Sequence, residues 1–105
     1  MKINNLMKQF NQMQNQMQNI QEKLAEEKLN VSVGGGMVNA VFNGKCEMLS
    51  ITIDPEVISV EDKDMLEDLI TSAVNEGLKR SKDLAEERTG SLLDGISSML
   101  PPGLR

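Results

Sequence analysis

From Ile3 to about Lys28 the chain sets apolar side chains three and four residues apart, with no Gly or Pro to interrupt them. Ile3, Phe10, Met17 and Leu24 recur every seven residues, and Leu6, Met13 and Ile20 interleave with them. This is the heptad seam of a helix that lies along another helix. At ~1.5 Å per residue a helix over 3–28 is roughly 40 Å long, more than a compact domain of this size can cover. Part of it must project or lie against a second chain. Its polar face is mostly amide, and Asn11-Gln12-Met13-Gln14 is repeated at once as Asn15-Gln16-Met17-Gln18. A membrane-surface helix would need many cations there, and only Lys2 and Lys8 precede Glu22.

The partner for that seam must come from a lean composition. The 105 residues make one small domain, and their aromatics are Phe10 and Phe42 alone. Leu, Ile, Val and eight Met fill the interior, so a second subunit would add much-needed burial. Apolar runs fall far short of the ~20 residues of a membrane span, and no signal peptide is expected at the N-terminus. Cys46 is the single cysteine, which excludes an intrachain disulfide and suits a reducing cytoplasm. In a strand it would be a small buried hydrophobe.

After residue 30 the period changes. Gly34-Gly35-Gly36 punctuates the chain between Val31/Val33 and the run Met37 to Phe42. Asn43-Gly44 signals a two-residue type I′ hairpin, which would pair Phe42 with Lys45, Ala40 with Glu47 and Val38 with Leu49. One sheet face would carry Val38, Ala40, Phe42, Leu49 and Ile51. The other, with Met37, Val41, Cys46 and Met48 among polar neighbours, is apolar enough to want a cover. Asp54-Pro55 ends the third strand. Ser59 and Asp62 form a capping signal, and a second helix follows over 60–88, with Leu66, Leu69, Ile70, Ala73, Val74, Leu78, Leu84 and Ala85 as its apolar positions. Gly77 sits within that face and permits close approach. Thr89-Gly90 is read as its end. The organisation is therefore one domain over 1–89 (helix 3–28, strands 30–53, helix 60–88) and a partly ordered tail over 90–105.

The fold class is α+β: long helix, three-stranded antiparallel sheet, long helix. Two hairpin connections leave the third strand parallel to the first, so the second helix must turn back along the first. An arm of two antiparallel helices results.

No histidine is present, which removes the commonest general base and zinc ligand. The three glycines lack a following Gly-Lys-Ser/Thr, so they read as a turn and not a phosphate loop. Glu61, Asp62, Asp64, Glu67 and Asp68 lie where the helix dipole favours acids, and their spacing fits no calcium loop. Neither cofactor, metal nor small-molecule substrate is expected, and no enzyme. The net charge of −5 repels polyanions on average, so the distribution of cations decides. Residues 1–21 hold Lys2 and Lys8 and no acid, while Lys79, Arg80, Lys82 and Arg88 lie late in helix two. Chain reversal would bring the two groups to the arm tip, where they could hold phosphates. The plain alternative is that these cations serve the helix C-terminus and the i,i+4 pairs Glu76–Arg80, Lys79–Asp83 and Lys82–Glu86.

Several stretches together carry a resemblance. Leu6-Met7-Lys8-Gln9, the strands around Asn43-Gly44, Ile53-Asp54-Pro55, Asp64 to Ile70 with Ala73-Val74-Asn75, and Leu100-Pro101-Pro102-Gly103 occur in order over nearly the whole chain. In these the chain resembles the YbaB/EbfC family of bacterial nucleoid-associated proteins. The resemblance implies a tweezer-like homodimer with a shared sheet, binding duplex DNA with little sequence preference in the cytoplasm and affecting nucleoid organisation and gene expression. It supplies no catalytic residue and no fixed DNA motif. A protein–protein interaction module with vestigial DNA affinity is the alternative.

Overall fold

The computed structural model describes residues 2–99, with side-chain surroundings for 3–91. An uninterrupted helix α1 occupies Lys2–Glu26, as the seam requires. Strands β1 (Leu29–Val33), β2 (Val38–Phe42) and β3 (Met48–Ile53) form an antiparallel sheet in the order β1-β2-β3. Helix α2 spans Lys63–Met99. The molecule measures 71 × 24 × 15 Å, with a radius of gyration of 20.3 Å where a globule of this length has about 13 Å. The long dimension is the helical arm.

Alternation in the strands sends Val31, Val38, Ala40 and Phe42 to one face, and the first half of α2 covers it with Ala73 at the centre. Ile51, Ile53, Leu66 and Leu69 close the edges. Gly77 is buried because the Phe42 ring lies against its Cα, where a side chain would stand. The opposite face shows Asn39, Met48, Ser50 and Thr52 to solvent.

The β2–β3 connection differs from the expected two-residue turn. Neither Asn43 nor Gly44 has positive φ; Cys46 does, at 60°. The Asn43 side chain accepts from the backbone N–H of Lys45 (2.8 Å) and of Glu47 (3.2 Å), replacing a backbone turn by a side-chain one. Asn43 N–H then closes a wider loop on the Glu47 carbonyl at 3.0 Å. The register moves accordingly: Val38 faces Ile53, Ala40 faces Ile51 and Phe42 faces Met48 across a bulge, and Leu49 is exposed. Gly44 is needed for a different reason. Its N–H donates to the Leu24 carbonyl at 2.7 Å, and a Cβ would stand 2.9 Å from that oxygen. Cys46, expected as a buried strand residue, is an exposed loop residue.

The capping signal is present, with Ser59 four residues before the first residue of the helix: Ser59 Oγ accepts from Asp62 N–H at 3.1 Å and donates to its carboxylate at 2.9 Å. Gly34, Gly35 and Gly36 all take positive φ in a single turn. Helix α2 does not stop at Thr89-Gly90. Gly90 keeps negative φ, so no left-handed cap forms and the helix continues to Met99. Of the expected tail, residues 100–105 lie outside those described.

Candidate nucleic-acid interface

An arm begins where α2 leaves the sheet. Buried Ser81 marks that point: its Oγ accepts from Cys46 N–H at 2.6 Å, fixing α2 to the β2–β3 loop. Leu24 is buried beside the same loop, so α1 is held there too. Beyond it α2 passes α1 in the opposite direction, and Arg88 Nη2 meets Glu27 Oε1 at 3.0 Å. Ile20, Lys23, Leu24, Glu27 and Arg88 line the cleft between the helices. The chain therefore reverses as its topology demands.

The predicted cations do not share a tip. Arg88 stands at the sheet end of α1, level with Glu27 and 19 residues beyond Lys8, which is roughly 28 Å of helix. The expectation placed the end of α2 at residue 88. Because the first half of α2 is spent covering the sheet, residues 79–88 reach only the root of the arm. Arg80 is engaged there: its guanidinium pairs with Glu76 and donates to the Asn30 carbonyl at 3.1 Å, tying α2 to β1. Among the described residues Lys8, Lys79 and Lys82 are exposed and make no ion pair. The side chain of Lys2 lies outside the described ones. Lys23, beside Arg88, completes the root, and its place in the heptad gave no sign of that role.

Electrostatically the root is mixed, since Glu22, Glu26, Glu27, Asp83, Glu86 and Glu87 are interspersed with its cations. The outer part of α1 is different. Between Lys8 and Glu22 it bears no charge, and its Asn and Gln side chains from Asn4 to Gln21 are all exposed. At ~100° per residue, Lys8, Gln12, Asn15, Gln16 and Asn19 share one face, opposite the apolar seam. That face offers paired donors and acceptors with one cation and no acid. It suits contact with phosphate and groove edges without repulsion.

Among the described residues no group of three or more His, Cys, Asp or Glu could hold a metal ion, and no helix is long and apolar enough to cross a membrane.

Residues 1–96 match the model of a family described as the YbaB/EbfC DNA-binding family. A nucleoid-associated protein of Ruminiclostridium cellulolyticum is 44% identical over 102 residues, covering 97% of this chain and 87% of that protein. Another, of Desulfotalea psychrophila, is 44% identical over 97 residues, 92% of each chain. The crystal structure of an uncharacterized protein from Helicobacter pylori superposes with a TM-score of 0.79 at 27% identity, over 89% of this chain and 98% of that one.

Proposed function

We infer that this chain, which belongs to the YbaB/EbfC DNA-binding family, is a nucleoid-associated protein that binds duplex DNA. It acts as a homodimer without catalysis, at the nucleoid, and with little sequence preference. Two arms, one from each copy, embrace the duplex. Met48 and Leu49, both exposed on β3 beside the bulge, support pairing of the sheet with a second copy.

The observation that carries the mode of binding is the acid-free outer half of α1 in a chain of net charge −5. Lys2 and Lys8 supply phosphate contacts, and the exposed amides between Asn4 and Asn19 hydrogen-bond to phosphate oxygens and groove edges. Lys79 and Lys82, exposed at the root, add outlying contacts. Arg80 and Arg88 hold the arm in place.

Salt dependence tests this. Each neutralised phosphate lowers the slope of log K against log salt by about 0.9. Two arms with Lys2 and Lys8 alone give a slope of about −3.6, and recruitment of Lys79 and Lys82 from both copies doubles it to about −7. Titration of a labelled duplex at several salt concentrations should give a slope in this range, flattened by Lys8→Glu. Absent or salt-insensitive binding would overturn the reading. Reversing Lys8, Lys79 and Lys82 together, all exposed and outside the described ion pairs, tests the interaction-module alternative, in which nucleoid function would survive unchanged.

A further inference from the structure

We propose that the apolar outer face of α1 seats the same face of a second copy, antiparallel, joining molecules arm to arm. The face is built by Ile3, Leu6, Met7, Phe10 and Met13. The first four are 71%, 63%, 60% and 53% exposed, and with Asn11 they line one shallow groove. Isolated exposed apolar residues need no explanation, but a contiguous row at the tip of an arm marks an interaction surface.

Continuity with the contact already formed inside the chain identifies the occupant. The seam runs without a break through Met17 and Ile20, which are partly covered, to Leu24, which is buried where α2 crosses. Its heptad spacing specifies an α-helix as the complement along its whole length. Residues 3–13 repeat that pattern with no helix packed on them among the described side chains, and another copy presents one of the right kind.

Charge selects this end for self-association. Residues 1–21 hold no acid, whereas residues 47–87 hold most of the chain's carboxylates, so arms of a −5 chain meet with least repulsion at the outer half of the first helix. An antiparallel pair centred near Lys8 sets Leu6 against Phe10 and Ile3 against Met13, each contact occurring twice by symmetry. Lys2 then lies level with the neutral Gln14, and Lys8 points away from the junction. The face carrying Lys8 and the amides stays open. A copy can therefore hold DNA with one side of its arm and a second copy with the other, which would connect separate duplexes.

Sedimentation velocity over a concentration series, on the full chain without DNA, tests the contact. Leu6→Glu with Phe10→Glu should weaken association beyond the sheet-paired homodimer at least tenfold, and Lys8→Glu should leave it unchanged. Circular dichroism checks that the exposed substitutions keep the fold. In a Cys46→Ser background, Met7→Cys should form a disulfide between copies under mild oxidation, and Gln12→Cys on the opposite face should not. Association indifferent to the two glutamates, or equal cross-linking from both faces, overturns the proposal. So does deletion of residues 100–105 opening positions 3–13 to hydrogen exchange at concentrations where copies stay apart, since the occupant would then be the chain's own end.

Discussion

Replacing Gly77 with alanine should destabilise the protein by about 2 kcal/mol, although alanine favours a helix over glycine by about 1 kcal/mol. The added methyl would fall inside the ring edge of Phe42, nearer Cδ1, Cε1 and Cζ than a real Cβ comes. The ring cannot swing away, because Phe42 is 1% exposed in a cluster with Val31, Val38, Ala40 and Ala73. Relief requires α2 to lift from the sheet by about 1 Å, and a gap of that size forfeits a quarter to a half of each dispersion contact across it. Overpacking of this kind costs about 1–3 kcal/mol, and here the upper end applies because both neighbours are backbone-anchored. Subtracting the gain in propensity leaves about 2 kcal/mol, or a fall in Tm of roughly 10 °C for a domain of this length. Urea and thermal unfolding at fixed protein concentration measure it. Gly90→Ala, in the same helix with nothing within 4 Å of the new Cβ, is the control and should stabilise by about 0.5–1 kcal/mol. A Gly77→Ala protein that melts at or above the wild-type temperature would refute the account of why that glycine is there.

Gly44→Ala should separate the end of α1 from the β2–β3 loop, since its Cβ would stand 2.9 Å from the Leu24 carbonyl; faster amide exchange over residues 20–27 would register it. Asn43→Ala leaves the N–H groups of Lys45 and Glu47 without their side-chain acceptor in a part-buried loop, a loss of about 1–3 kcal/mol by denaturant titration. Cys46→Gly should raise stability by about 0.5–1 kcal/mol in the same assay, because a non-glycine residue at φ 60° carries a left-handed penalty. Arg88→Ala should change stability by under about 1 kcal/mol, its pair with Glu27 being exposed on both sides.

Local pattern was enough for the elements and their order. The heptads of α1, the alternation of Val38, Ala40 and Phe42, and the Ser59–Asp62 cap are each a direct consequence of the helical or pleated period, and the observed helices and strands follow them. The reversal of α2 along α1 also followed from counting hairpins. The turn after Phe42 was not legible, because Asn43-Gly44 suits a type I′ turn locally. The side-chain bonds of Asn43 and the approach of Gly44 to Leu24 both depend on where α1 ends.

The cations show the same division. Sequence alone established that residues 1–21 are free of acid and that a group of basic residues sits at 79–88. How far along the arm each group falls was a tertiary matter, decided by how much of α2 the sheet consumes before the helix is free. Because Phe42 packs at Gly77 and Cys46 bonds Ser81, α2 is held against the sheet through residue 81. Periodicity records which face of a helix is buried but not where along its length the burial ends, and that distance alone separates Arg88 from Lys8.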